Sequence, residues 1–355
     1  MLLEGIFPAV TTPFHADGRP HWHNLERNVE RYSRTPAAGL VLMGSTGEAA
    51  MLSDEESRHL LHVAKGAAAQ DKVLIAGVGR ESVSETLHMI EEAAKQDYDV
   101  ALVRTPHFYR PQMRPAEMLN YYRIVADQSP LPVLLYSVPV YTQYDLPVEI
   151  AAELAHHPNI IGMKDSSGKV ERIRELVAQT AAAPRHHVTV TTTFSAVTGR
   201  MQNSSMVAAG LGSALMPADM LGTAELLMPF APSAPQFKTR TREVGFQVLC
   251  GSAQALLPSL NAGATGGVLA MAAFAPQACA EIHMAWKDKD APLAEEKQAR
   301  VMQAAEVVCG RMGVPGVKYG CDLNGYYGGA PRLPLLPLNR QEKAQVEELL
   351  HDLKQ

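Results

Sequence analysis

The stretch Pro158-Asn159-Ile160-Ile161-Gly162-Met163-Lys164-Asp165-Ser166-Ser167-Gly168 decides how the chain is read. Pro158 and Asn159 are turn residues, and Ile160–Met163 is an apolar run long enough for a buried parallel strand. The run ends on Lys164, before the polar segment Asp165–Gly168. An amine at the end of a buried strand loses water, and desolvation disfavours its charged form. A lysine that spends time neutral attacks carbonyl carbon, so Schiff-base chemistry is the functional expectation. The bland alternative is a lysine that reaches solvent past the strand end.

Working outward, similar runs recur with helical patterns between them. They lie at Gly5–Phe14, Gly39–Met43, Lys72–Gly79, Val100–Thr105, Pro132–Pro139, Phe246–Ser252 and Gly266–Ala273. Helices are expected at Asn24–Arg34, Ser53–Ala68, Ser82–Gln96, Pro115–Gln128, Pro147–His156, Lys169–Gln179, Gln254–Ala262 and Gln277–Lys287. Ser53 with Glu56 three residues on is a capping box, a strong start signal. Eight such units close into a (β/α)8 TIM barrel. An open doubly wound sheet is disfavoured, because no G-x-G-x-x-G follows the first strand. The barrel is assigned to residues 1–288 and a C-terminal helical extension to 289–355, with helices at Ala294–Met312 and Arg340–Lys354. An insert of about 181–237 separates helix 6 from strand 7. It holds a possible strand Val188–Phe194, a small apolar run Met206–Leu215 and a linker Pro232-Ser233-Ala234-Pro235. It is read as non-catalytic: a surface excursion, an oligomer contact or an error in the gene model.

Composition narrows the function. The chain has 355 residues and a net charge of −5, with no basic stripe, so nucleic acid is not an expected partner. No apolar run spans a membrane and no signal pattern opens the chain. The four cysteines, Cys250, Cys279, Cys309 and Cys321, have no C-x-x-C spacing, so neither zinc nor a disulfide framework is indicated and a cytoplasmic location is expected. The adjacent His186 and His187 are read as surface residues rather than metal ligands.

Barrel sites form at the C-terminal strand ends. Strand two delivers Gly44-Ser45-Thr46-Gly47-Glu48, where glycines and hydroxyls in one turn suit a carboxylate. Strand five delivers Tyr136, beside Lys164 on strand six. Amine, phenol and anion cradle together suit a 2-oxo acid: a Schiff base at the keto carbon, proton transfer by the phenol, donors for the carboxylate.

These pieces carry a resemblance to the dihydrodipicolinate synthase / N-acetylneuraminate lyase family of class I, pyruvate-handling aldolases. The matching stretches are Gly5–Phe14, Gly44–Glu48, Tyr136-Ser137-Val138-Pro139, Gly162–Ser166 and Gly266-Gly267-Val268. The resemblance implies a cytoplasmic lyase with Lys164 and Tyr136 catalytic, no cofactor and no metal. It implies that Ser45 and Thr46 hold the pyruvyl carboxylate, and that Gly251 and Val268 line the pocket through their backbones. It also implies a homo-oligomer, commonly a tetramer, acting on a small 2-oxo acid. Two positions depart from the family. Tyr141 stands where dihydrodipicolinate synthases have an arginine for the second substrate, which a phenol does not replace. Phe108 stands where a tyrosine enters a proton relay, so Tyr109 substitutes, a water does, or the relay is weakened. With Gly325–Gly329, Arg332 and Pro334, the motifs look more like 4-hydroxy-2-oxoglutarate aldolase, with Ser166 helping to hold substrate. The expected reaction is cleavage of a 4-hydroxy-2-oxo acid to pyruvate and an aldehyde. The alternatives are 4-hydroxy-tetrahydrodipicolinate synthase, or a non-catalytic pyruvate-binding member.

Overall fold

Parallel strands place their carboxyl ends together, and here eight of them surround one axis. The computed structural model describes residues 1–191 and 239–353. In chain order its strands are β1 (Gly5–Pro8), β2 (Gly39–Leu42), β3 (Val73–Gly77), β4 (Val100–Arg104), β5 (Val133–Ser137), β6 (Ile160–Asp165), β7 (His186–Thr191), β8 (Thr239–Val244), β9 (Gln247–Cys250) and β10 (Gly266–Leu269). Eight form one parallel sheet in the order β1-β10-β9-β6-β5-β4-β3-β2. A parallel bridge between Ala9 and Val41 joins its two edges and closes the barrel.

Alternation of side chains splits the apolar residues into two cores. Phe7, Val41, Ile75, Leu102, Leu134, Tyr136, Leu249 and Val268 fill the inside of the barrel. Met163 and Leu135 belong to the larger core between strands and helices. Because Met163 faces outward, Lys164 faces inward. Gly162 is required by a close approach: a Cβ there would sit 2.2 Å from the Gln247 carbonyl oxygen. Gln247 seals the lower end, its Oε1 accepting from the Leu3 amide at 2.6 Å.

The helices follow their sequence signals. In the helix Asp54–Ala67, Ser53 and Glu56 exchange both capping bonds, and Leu60, Leu61 and Ala64 face the core. Ser82 caps Val83–Lys95 by accepting from the Glu85 amide. The C-terminal region departs from expectation. The helix Ala291–Ala304 runs into a π-helical turn at Ala305–Arg311, and a further helix, Gly313–Leu323, follows before Arg340–Leu349.

β7 and β8 form a separate antiparallel ribbon. An ion pair from Arg242 to Glu4, just ahead of β1, fixes this ribbon at the amino-terminal end of the barrel. His186 and His187 are exposed on it. The runs Met206–Leu215 and Pro232–Pro235, and the end of the Val188–Phe194 segment, lie outside the described residues. Among the described residues no group of metal-ligating side chains occurs, and no helix is long and apolar enough to cross a membrane.

Candidate active site

β5 and β6 are hydrogen-bonded neighbours, and their register sets Tyr136 directly opposite Lys164. Both point into the barrel at its carboxyl end. Lys164 is 4% exposed, which excludes a lysine reaching out past the strand. Its Nζ lies 4.1 Å from the centroid of the Tyr136 ring. A ring face stabilises the ammonium without neutralising it. Among the described residues no carboxylate forms an ion pair with Lys164; its neighbour Asp165 faces the other way and pairs with Arg172 at 2.7 Å. That carboxylate also accepts from the Ser167 amide at 3.0 Å. Arg172 reaches Asp145 at 3.2 Å as well, so the chain beyond Lys164 is tied to the chain beyond Tyr136.

The Tyr136 hydroxyl meets Ser45 Oγ at 3.2 Å. Ser45 sits in a tight turn after β2, in which the Gly47 amide donates to Gly44 O at 3.0 Å and the Glu48 amide to Ser45 O at 3.1 Å. Among the described residues the Ser45 and Thr46 amides donate to no backbone carbonyl. Thr12 Oγ1 donates to Gly47 O at 2.6 Å and holds the turn against the segment after β1. Amine, phenol, hydroxyl and turn amides therefore share one end of the barrel.

Ser166 and Gly251 are also together. The Gly251 amide donates to Asp165 O at 2.7 Å. A Cβ on Gly251 would lie 2.0 Å from Ser166 Oγ, so only glycine admits the serine there. Val268 is buried in the inner core, opposite Phe7 in the register of β1 and β10.

The three remaining expected residues sit at the rim. Phe108 is 74% and Tyr109 62% exposed, and their rings contact each other edge to face at 5.1 Å. Their loop is held by Glu81, which accepts from the His107 and Phe108 amides at 2.9 Å. Neither ring joins Tyr136 and Lys164 within this chain. Tyr141 lies on the short helix Pro139–Thr142 and is 58% exposed, yet its phenol is pushed above the ordinary range, first by burial and then by the nearby Tyr136 phenol. Arg110, the arginine of the neighbouring loop, is engaged elsewhere: its Nε donates to Gln143 O at 2.8 Å and its guanidinium covers the Tyr144 ring.

Reading the residues alone gave no role to Arg172, or to Glu48 and Lys318, which pair across most of the chain. The only available signal was Glu48 closing the Gly44–Glu48 motif.

Comparison with known proteins bears on the family and the fold. The model of the dihydrodipicolinate synthetase family matches residues 2–188 and 235–353. A 4-hydroxy-tetrahydrodipicolinate synthase of Methanothrix thermoacetophila is 28% identical over 349 residues, covering 98% of this chain and 96% of the relative. That of Xanthomonas axonopodis pv. citri is 40% identical over 178 residues, covering 50% of this chain and 58% of the relative. Among solved structures, a prophage protein of the dihydrodipicolinic acid synthase family from E. coli K12, in complex with pyruvate, superposes with a TM-score of 0.77 at 24% identity over 99% of both chains. The dihydrodipicolinate synthase of Acinetobacter baumannii, also complexed with pyruvate, gives the same TM-score of 0.77, identity of 24% and coverage of 99% of both chains. At that identity the structural likeness carries the (β/α)8 fold, and the family match carries the kinship. The chain belongs to the dihydrodipicolinate synthetase family, whose members are class I, pyruvate-dependent lyases and aldolases.

Proposed function

We propose that this chain is a Schiff-base aldolase that cleaves a 4-hydroxy-2-oxo acid, of the 4-hydroxy-2-oxoglutarate kind, to pyruvate and an aldehyde. The observation that carries the reading is Lys164 Nζ, buried, without a carboxylate partner among the described residues, and 4.1 Å from the centre of the ring whose hydroxyl meets Ser45. In this reading the Ser45 and Thr46 donors receive the substrate carboxylate. Lys164 adds to the keto carbon, and loss of water gives an iminium. Tyr136, having given its proton to the carbinolamine oxygen as water leaves, takes back a proton from the 4-hydroxyl as the C3–C4 bond breaks. The bonding electrons pass to the iminium nitrogen, leaving an enamine and releasing the aldehyde. Protonation at C3 and addition of water then free pyruvate and restore the amine. Positioned proton transfer of this kind contributes about 10²–10⁴ in rate. Ser166, against Gly251, supports the distal part of the substrate.

A second reading, 4-hydroxy-tetrahydrodipicolinate synthesis from pyruvate and aspartate semialdehyde, is favoured by the names of the curated relatives. Tyr141 opposes it, because a phenol offers one donor where a guanidinium offers a planar fork. A non-catalytic, pyruvate-binding protein is the third reading, motivated by Phe108 and Tyr141 together. Four free thiols, three of them buried, support a cytoplasmic setting. Exposed Phe108 and Tyr109 after β4, and Val140 and Tyr141 on the short helix after β5, support a homo-oligomer, for which a tetramer is the working assignment.

Reduction with borohydride in the presence of pyruvate is the first test, read by mass on the Lys164 peptide. No mass gain on Lys164 would sink the Schiff-base reading. A screen of pyruvate release from several 4-hydroxy-2-oxo acids, with Lys164→Ala as control, then separates the three readings. Turnover with aspartate semialdehyde instead would select the second, and binding of pyruvate without any turnover the third.

A further inference from the structure

The turn that carries Ser45 and Thr46 is strained, and a buried charge pair from the C-terminal region holds it. Met43 (φ 54°) and Glu48 (φ 55°) both occupy the left-handed region, at either end of the turn. Glu48 cannot relax by turning its carboxylate to water, because its side chain is 1% exposed and lies 2.5 Å from Lys318 Nζ, which is equally buried. Lys318 also donates to Ala330 O at 2.8 Å. The other Glu48 oxygen accepts from the Arg332 amide at 2.8 Å. The Arg332 guanidinium in turn grips Glu56, Met51 O and Gly18 O. The Phe14 ring is shared, with Lys318 Nζ and the Arg332 guanidinium carbon each 4.4 Å from its centroid.

A buried ion pair is a poor way to stabilise a fold, since well-packed apolar residues of similar volume do as well or better. Burial pulls the Lys318 ammonium below its usual range and Glu48 only partly offsets this. What the pair does supply is direction. The Glu48 amide donates to Ser45 O at 3.1 Å, and Ser45 Oγ meets the Tyr136 hydroxyl, so the charge pair is two steps from the phenol.

We infer that Lys318, Glu48 and Arg332 are positioning residues that hold the Ser45–Thr46 turn in the conformation that receives the substrate carboxylate. The inference rests on the proposed role of that turn. It means that the last helices of the chain complete the site without touching substrate.

The test compares wild type with Lys318→Met, with Glu48→Gln/Lys318→Met, and with Arg332→Lys. Lys318→Met alone strands a buried carboxylate and its failure to fold is anticipated; the double variant removes both charges and keeps the volume. Two quantities are read: the pyruvate concentration giving half-maximal borohydride trapping, and hydrogen exchange of residues 43–51 in the free protein. The double variant is expected to need about tenfold more pyruvate while reaching the wild-type extent of trapping, the pattern of lost binding rather than lost chemistry. Exchange in 43–51 should quicken while the barrel strands keep their protection. Arg332→Lys should move both readouts the same way, by less. Unchanged half-trapping in the double variant and in Arg332→Lys overturns the inference, even if melting temperature falls. A turn that stays protected in the double variant overturns it too. Absence of trapping in wild type would instead remove the Lys164 assignment, and exchange in 43–51 alone would then decide whether the clamp holds the turn.

Discussion

Acid should destabilise this protein through one histidine far from the site. His283 lies on the helix Pro276–Lys287, is 5% exposed, and its Nε2 is buried with no hydrogen-bond partner among the described residues. Desolvation pulls its pKa from 6.5 down to about 4; Glu4 and the Thr265 backbone push it up, Lys287 pushes it down, and burial prevails. Between pH 6.5 and 4 the unfolded chain therefore binds a proton that the folded chain refuses. Stability then rises with pH across this window and falls on acidification. The pKa difference gives a loss of about 2 kcal/mol by pH 5 and about 3 kcal/mol by pH 4. His283→Phe removes the titration and keeps an apolar ring of similar size. Urea unfolding, followed by the fluorescence of Trp286 whose ring centre is 5.7 Å from that of His283, is the assay. Wild type minus variant should be flat above pH 7.5 and drop by the stated amounts below it. A difference independent of pH from 7.5 to 4 refutes the reasoning.

The other expectations concern the barrel mouth. Lys164→Ala should abolish both borohydride trapping and pyruvate release, whereas Tyr136→Phe should keep trapping and lower kcat by about 10²–10⁴; equal loss in both assays for Tyr136→Phe would deny the phenol a role in the later proton transfers. Tyr141→Arg should raise turnover of pyruvate with aspartate semialdehyde, measured in a coupled reductase assay, and no gain would mean that the rim residue does not set this preference. Gly251→Ala drives a Cβ to 2.0 Å from Ser166 Oγ, two residues beyond Lys164, so kcat/KM should fall by about 10² with folding retained by circular dichroism; wild-type kinetics would show that the serine moves aside at no cost.

How much of this was legible beforehand depends on sequence distance. The strands were readable because a buried parallel strand is apolar on both faces, and the helices because Ser53 and Ser82 announce their starts. Tyr136 and Lys164 were readable as neighbours because consecutive β/α units place their strands side by side. The helix Gly313–Leu323 was not. Gly313, Pro315, Gly316 and Gly320 argue against a helix by propensity, and packing overrides them: a Cβ on Gly316 would come 2.5 Å from Val308 O, and one on Gly320 3.0 Å from the Phe274 ring. The Glu48–Lys318 pair spans most of the chain, so no local pattern could announce it. The loop that carries Phe108 and Tyr109 is held by Glu81, more than twenty residues earlier, so its conformation had no local signal either.

The antiparallel ribbon of β7 and β8 has a practical corollary. Its two legs stand at the floor of the cylinder, beside Glu4, while amine and phenol occupy the roof. The legs themselves therefore stand at the end of the barrel opposite Tyr136 and Lys164. A fluorophore or surface linker attached to the exposed face of that ribbon, for instance at His187, should leave pyruvate trapping at its wild-type level.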